Sequence, residues 1–183
     1  MKLIIGLGNP GKEYIGSRHN LGWKILDALV DEPLQLNKKF SSKILKTSLA
    51  EQPVLVAKPQ TYMNNSGSAV VKISQYYKIP TEDIWIVHDD IDLAFGKLRV
   101  GQGRSSAGHR GVESIIQSLG TKDFVRFRIG LRPAEKKINT DRYVMEKFSQ
   151  DEQLALPDII DRIKQAIQYS LNNPIAEVAG KFN

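Results

Sequence analysis

The stretch Ile4-Ile5-Gly6-Leu7-Gly8-Asn9-Pro10-Gly11 decides the fold class, because an apolar segment runs directly into a turn. Residues 2–8 are predicted to form a buried strand. Pro10 and Gly11 favour a turn, and this turn would present the Asn9 amide to a cleft. A polar side chain directly after a buried strand is typical of the sites in α/β proteins.

The glycines of this stretch also match the bare pattern of a dinucleotide-binding loop. That loop requires a helix that opens within the glycines, so that the helix N-terminus faces the pyrophosphate. Residues 12–16 indicate a turn and a loop instead. We therefore interpret Gly6 and Gly8 as positions of close backbone approach.

Hydrophobic periodicity predicts an alternation of strands and helices along the rest of the chain. The predicted strands are 42–49, 53–58, 83–88, 97–101 and 124–131, the last one half-exposed, and the predicted helices are 20–31, 67–78, 110–119 and 149–171. This alternation predicts an α/β fold, a three-layer α/β/α sandwich around a twisted mixed sheet. We expect residues 1–183 to form a single domain, with the helix from about 149 as a lid or a packing element.

The composition of the chain limits which side chains could act as a nucleophile, a metal ligand or a general base. The 183 residues include no cysteine, which excludes disulfides, thiolate metal sites and cysteine nucleophiles. The three histidines, His19, His88 and His109, are then the main candidates for a general base. Neither a signal peptide nor a membrane-spanning run is evident, so we expect a cytoplasmic protein without membrane contact.

The formal net charge of +6 is concentrated in one segment, Lys97 to Arg132. That segment holds eight cations and two anions, and six of the eight cations are arginines. A basic segment is compatible with a solvated surface. The excess of arginine favours phosphate recognition, since the guanidinium fork matches phosphate oxygens.

His88-Asp89-Asp90-Ile91-Asp92 follows the apolar run of the predicted strand 83–88. Three interpretations are open: a solvated acidic turn, a divalent-metal site of Asp89, Asp90 and Asp92, or one aspartate that orients a distant histidine. A metal site usually takes ligands from a second cluster, and the sequence shows no other dense group of His, Asp and Glu.

Two further segments are rich in hydrogen-bonding groups. In Tyr62-Met63-Asn64-Asn65-Ser66-Gly67, either Asn65 or Ser66 is expected to cap a helix, while a side-chain amide could donate to an oxyanion or a peptide carbonyl. The segment from Gly103 to Gly111 is either a flexible surface loop or an anion site at a helix start.

Taken together, these segments resemble the bacterial peptidyl-tRNA hydrolase family. The matching pieces are Gly6 to Gly11 with Tyr14, Arg18-His19-Asn20, Lys58-Pro59, Tyr62 to Gly67, His88 to Asp92, Gly96-Lys97-Leu98-Arg99, Ala107-Gly108-His109 and Arg126 to Gly130. They occur in order from residue 3 to about 150. Each piece is weak alone, but the ordered set is specific.

The resemblance implies cleavage, without metal or other cofactor, of the ester between a peptide and the 3′ ribose of tRNA. His19 would be the general base and Asp89 would orient it. Asn9 and Asn64 would hold the peptide backbone or the attacked carbonyl. The absence of a G-x-S-x-G nucleophile elbow agrees with direct attack by water.

The resemblance also implies how substrate is bound. Tyr14 and Met63 would shape the cleft near the scissile bond, together with Asn64. His109 would lie on the tRNA side, and Arg128 would grip the tRNA 5′ phosphate. The expected partner is peptidyl-tRNA, bound by a monomer.

Two residues depart from the family pattern. The family usually has Asn directly after its second conserved His, where this chain has Arg110. We hypothesise that Arg110 meets an oxygen of the tRNA 3′ end. The family commonly has a cation where this chain has Gly101, and Arg104 or Arg99 would substitute for it in the phosphate contact.

Two other classes of function compete with the esterase. One is a non-catalytic RNA-binding relative of the same fold, although RNA binding alone does not require an oriented base. The other is a metal-dependent hydrolase that uses Asp89, Asp90 and Asp92. Chelator sensitivity separates the second alternative from the esterase.

Overall fold

The computed structural model describes residues 1–132 and 139–183, and these residues contain a seven-stranded sheet and six α-helices. The strands are β1 (Lys2–Gly6), β2 (Gln35–Asn37), β3 (Ser42–Leu49), β4 (Gln52–Pro59), β5 (Ile84–Ala94), β6 (Leu98–Gln102) and β7 (Val125–Arg132). The helices are α1 (Leu21–Leu29), α2 (Ser66–Tyr77), α3 (Arg110–Leu119), α4 (Thr140–Met145), α5 (Gln150–Ser170) and α6 (Ile175–Phe182).

The sheet is mixed, with the strand order β2-β3-β4-β1-β5-β7-β6. Its centre, β4-β1-β5-β7, is parallel, whereas β2, β3 and β6 pair antiparallel at the two sides. The carboxyl ends of the four parallel strands therefore meet at one edge, where α/β proteins place their sites.

Helices cover both faces of the sheet. Ile25 of α1, Ile163 of α5 and Val178 of α6 belong to the apolar cluster on one face. Val70 of α2 and Ile115 of α3 belong to the cluster on the other. Successive strand residues point to opposite faces, so the central strands supply both clusters. The predicted three-layer α/β/α fold is confirmed.

Two predicted strands differ from the observed ones. β5 continues to Ala94 instead of ending at His88, because its pairing with β7 extends beyond that residue, with an irregularity between Asp90 and Ala94. The prediction that strand 124–131 is half-exposed was wrong. β7 is buried along most of its length, and Arg126 is only 2% exposed. β7 lies between β5 and β6, which covers both of its edges.

Three short elements were missing from the predicted set: β2, α4 and α6. β2 has three residues and α4 has six, too few for either to show a periodic pattern. α6 begins after Pro174 without a capping side chain. α5 begins with the predicted capping box of Ser149 and Glu152 and continues through Pro157, which is exposed.

No helix in the described part of the chain combines the length and the apolarity that crossing a bilayer requires.

Candidate active site

The predicted catalytic residues come from different parts of the chain and meet at the carboxyl edge of the parallel strands. Asn9 follows β1, and Asn64 lies in a short 3-10 turn between β4 and α2. His19 lies in a second 3-10 turn that leads into α1. All three line one cavity of about 670 Å³ together with Asp89.

Asp89 reaches this edge because β5 is longer than its neighbour β1. β1 ends at Gly6, which pairs with Val87. Asp89 lies two residues farther along β5, where it still pairs with Ile129 of β7. The aspartate is therefore held within a strand, and not in a loop after it as the predicted strand 83–88 implied. Because it lies beyond the end of β1, its side chain faces the cavity.

Asp89 accepts hydrogen bonds from two imidazoles. Its Oδ2 lies 2.8 Å from His19 Nδ1, and its Oδ1 lies 3.1 Å from His109 Nε2. The carboxylate is buried, at 2% exposure. Of the three open interpretations of this acidic segment, the structure supports an aspartate that orients a distant histidine.

The proton of His109 can be located from its hydrogen bonds. His109 is the N-cap of α3, and its Nδ1 accepts from the backbone N–H groups of Gly111 and Val112 at 3.2 and 3.3 Å. An acceptor nitrogen carries no proton, so the ring proton is on Nε2 and is donated to Asp89. Both nitrogens of His109 are thus occupied, and this residue is a poor general base.

His88 is also unsuited to proton transfer from substrate. It is 1% exposed and does not line the cavity. Its Nδ1 donates to the carbonyl of Asp89, and burial together with the nearby His109 lowers the pKa of His88 well below its ordinary value. Among the three histidines, His19 alone lines the cavity with a nitrogen, Nε2, that bonds to no described residue.

The charges of this group favour an ionised Asp89 and a basic His19. Burial would raise the pKa of Asp89, but the two imidazoles hold it well below its usual range. Burial would lower the pKa of His19, but the charge and the hydrogen bond of Asp89 outweigh this and raise it above 6.5. Arg110 lowers and Asp141 raises the pKa of His19 to a smaller extent.

Asn9 is fixed with its NH2 group available to a ligand. Its Oδ1 accepts from the backbone N–H of Met63 at 2.7 Å, and its Nδ2 donates to none of the residues that the structure describes. Asn20 holds the Asn9 backbone from the other side, because its Oδ1 accepts from Asn9 N at 2.7 Å and its Nδ2 donates to Asn9 O at 3.0 Å. The same Nδ2 donates to the carbonyl of Tyr14.

The remaining predicted substrate residues take different positions. Met63, Asn64, His109 and Arg110 line the cavity. Tyr14 does not, and its ring packs edge-on against Tyr62, which does line the cavity.

The predicted phosphate residues lie on the last two strands and the loop that follows β6. Arg128 donates to the carboxylate of Asp90 at 2.6 Å, and it lies opposite the exposed Arg99 in the pairing of β6 with β7. Arg104 is exposed in the loop after β6. Arg126 lies opposite Gly101, and burial, followed by the charge of Arg128, lowers the pKa of Arg126 to about 10.

The residues present offer a partial fit to a metal ion. One ligand atom each of His19, Asp89 and His109 lies within 4.8 Å of the others. An ion at this position would have to displace the protons that both imidazoles share with Asp89. The alternative cluster of three aspartates is not assembled, since Asp90 instead binds Arg128 and the backbone N–H of Asp92.

Sequence reasoning missed several residues of the site. Asn20 belongs to the matching piece Arg18-His19-Asn20, but nothing in the sequence indicates that its side chain binds the backbone of Asn9. Four residues of α4, Thr140, Asp141, Val144 and Met145, line the cavity, and the sequence carried no signal for this helix. The roles of the predicted site residues stay predictions.

Comparison with known proteins identifies the family of this chain. The family model described as "Peptidyl-tRNA hydrolase" matches residues 3–183. Relatives with this name include that of Chloroflexus aurantiacus, 39% identical and covering 100% of this chain and 99% of its own. That of Aquifex aeolicus is 41% identical over 93% of this chain and 90% of its own.

Solved structures with a similar fold come from the same family. The crystal structure of peptidyl-tRNA hydrolase from Acinetobacter baumannii superposes with a TM-score of 0.92 at 31% identity, covering 100% of this chain and 94% of that one. The resemblance inferred from the ordered motifs is confirmed. This chain belongs to the peptidyl-tRNA hydrolase family.

Proposed function

We propose that this protein hydrolyses the ester between the peptide and the tRNA of peptidyl-tRNA and releases both. The observation that carries the proposal is the buried pair of His19 Nδ1 and Asp89 Oδ2, 2.8 Å apart, with His19 Nε2 left free in the cavity. A histidine oriented in this way is a general base near neutral pH.

The proposed reaction begins when His19 Nε2 takes a proton from water while the water oxygen attacks the ester carbonyl. Asp89 stabilises the imidazolium that forms. When the tetrahedral intermediate collapses, the bond to the ribose 3′ oxygen breaks and His19 returns the proton to that oxygen. The products are a peptide carboxylate and a free tRNA hydroxyl.

Asn9 and Asn64 are the proposed donors to the substrate. Asn9 Nδ2 is free for this role because Oδ1 is bound to Met63. Donors aimed at a developing oxyanion stabilise the transition state. If one of them pairs with a peptide group, an aminoacyl ester without that group leaves a buried amide unpaired and reacts more slowly.

The tRNA side of the proposal uses the basic residues. Arg128, with Arg104 or Arg99, would contact the 5′ phosphate. His109 and Met63 would border the acceptor end and the scissile bond, and Tyr14 would shape the cleft through Tyr62, against which its ring packs. A charge reversal at Arg104 that leaves both tRNA affinity and its salt dependence intact would remove this residue from the proposal. The proposal includes action as a monomer in the cytoplasm.

The deciding experiment measures peptide release from N-acetyl-aminoacyl-tRNA by the wild type and by His19→Ala, with EDTA present throughout. Hydrolysis that persists in EDTA and is lost in the variant supports the metal-free esterase. Activity abolished by EDTA would favour a metal-dependent hydrolase. A folded wild type that binds tRNA without hydrolysing it would favour the RNA-binding alternative.

Arg110 is proposed to contact an oxygen of the tRNA 3′ end. In the free protein its Nη2 donates to Asp141 Oδ2 at 2.8 Å, and both side chains are exposed. An exposed ion pair is weak, so it can be exchanged for a phosphate. Arg110→Ala should raise KM for the tRNA substrate, whereas Asp141→Asn, which frees Arg110, should not. An unchanged KM in Arg110→Ala would contradict the contact.

A further inference from the structure

Helix α4 forms one wall of the cavity, and its inner surface is partly apolar. Val144 and Met145 line the cavity, as do Ile91 of β5 and Met63. These four side chains lie in the same cavity as His19. A substrate whose ester carbonyl is attacked from His19 would place its acyl part in this space.

α4 is a short helix in which only Tyr143 and Val144 pack against the apolar cluster. It has six residues, and none of them is fully buried. An isolated helix of this length is unstable in water. The position of the wall must therefore be determined by contacts with other elements.

Arg18, the neighbour of His19, supplies such contacts. It is 6% exposed, and its Nη2 and Nε donate to Glu152 of α5 at 2.7 and 3.3 Å. Its Nη1 donates to the carbonyl of Tyr143 at 3.2 Å, and its guanidinium stacks 3.9 Å from the centre of the Tyr143 ring. One side chain thus joins the turn of His19, helix α4 and the start of α5.

The same three elements are joined by further bonds. The backbone N–H of Arg18 donates to the carbonyl of Glu146 at 2.9 Å. The Tyr143 hydroxyl donates to Glu152 at 2.9 Å. Burial and the bond to Glu152 raise the pKa of Tyr143 to about 12, so this hydroxyl keeps its proton at neutral pH.

We infer that Arg18 is a positioning residue that holds the α4 wall against the turn of His19, and that this wall selects substrates with a large apolar side chain on the esterified residue. This inference rests on the proposed function. The acyl side chain would pack against Val144 and Met145. The loss of such a contact lowers kcat/KM by on the order of tenfold.

The test compares two substrates, N-acetyl-leucyl-tRNA and N-acetyl-glycyl-tRNA made on the same tRNA body. The variants are Arg18→Lys, Glu152→Gln and Met145→Ala. Lysine cannot reproduce the bidentate and stacked contacts of arginine. The matched control is Arg162→Lys on α5, an exposed arginine that donates to the carbonyl of Phe182 at 2.9 Å and does not line the cavity.

We expect each of the three variants to lower kcat/KM for the leucyl ester by on the order of tenfold and for the glycyl ester by less than about twofold. The control should change neither. The glycyl ester has no side chain to contact the wall, so a general loss of structure would lower both values together.

Equal losses on both esters, or no loss on the leucyl ester, would overturn the inference. If Arg18→Lys does not fold, Glu152→Gln and Met145→Ala still decide it. A wild type that hydrolyses neither ester would overturn the proposed function itself. A wild type that hydrolyses both equally well would overturn only the selectivity of the wall.

Discussion

At the scale of single residues, one carboxylate organises the site. Asp89 binds His19 with one oxygen and His109 with the other, so the rotation of its carboxyl group is fixed from both sides. This arrangement defines which nitrogen of each ring carries a proton. It also leaves His19 Nε2 as the free base.

Replacing Asp89 with Asn tests this arrangement. The pKa of His19 lies above 6.5 because of the carboxylate, so kcat/KM should fall as the pH drops through that pKa and the base becomes protonated. Asp89→Asn removes the negative charge that raises the pKa of His19, while burial still lowers that pKa. The acidic limb of the pH profile of kcat/KM should therefore move to lower pH. kcat should fall by about 100-fold or more.

The measurement is kcat/KM for N-acetyl-aminoacyl-tRNA over a range of pH, for both proteins. Circular dichroism serves as the control for folding. A variant with the same acidic limb as the wild type would show that Asp89 does not determine the basicity of His19.

At the scale of elements, one residue, His109, belongs both to the start of helix α3 and to the hydrogen-bonded group of His19, Asp89 and His109. His109 caps α3 with Nδ1 and donates to Asp89 with Nε2, so the start of the helix and the orientation of the aspartate are coupled. A capping side chain typically contributes about 1 kcal/mol. This coupling allows stability and activity to be separated by substitution.

His109→Asn and His109→Ala should differ in stability and agree in activity. Asn is a good N-cap, whereas Ala loses the cap, so the alanine variant should unfold with about 1 kcal/mol less free energy than the asparagine variant. Both lose the bond to Asp89 and should show a reduced kcat. Urea unfolding and peptide release measure the two effects, and equal stability of the variants would argue against the cap.

At the scale of the whole molecule, the arginines of the basic segment Lys97 to Arg132 are found partly on the strands at one side of the sheet. Arg99, Arg126 and Arg128 lie on β6 and β7, at the end of the strand order opposite to β2. Gly101 of β6 lies opposite the buried Arg126, and a Cβ at this position would meet no atom of the described residues within 4 Å. A longer side chain can be accommodated at this position.

Gly101→Lys should therefore improve binding of tRNA. We expect a lower KM at low salt and a salt dependence that is steeper by about 0.7 to 0.9 in log–log slope for one added phosphate contact. Gln35→Lys is the matched control, since it adds the same charge on β2, at the other side of the sheet. Equal effects of the two variants would indicate a response to net charge alone.

Much of the fold could be predicted because its signals are local. The apolar run before Gly6 and the periodic segments of α1, α3 and α5 each contain their own evidence for a strand or a helix. The short elements β2 and α4 lack such signals. The burial of Arg126 could not be foreseen either, because it depends on β5 and β6 covering the two edges of its strand.

The sequence by itself determined the residue types of the site and the family, since ordered motifs carry both. The tertiary structure decided which groups meet. His19 and Asp89 are 70 residues apart, and their contact depends on β5 extending past the end of β1. The same holds for the wall formed by α4, which depends on contacts of Arg18 with residues more than 120 positions away. Both contacts join residues that are far apart in the chain, and a pattern within one segment does not contain the length of a neighbouring strand or the position of a distant helix.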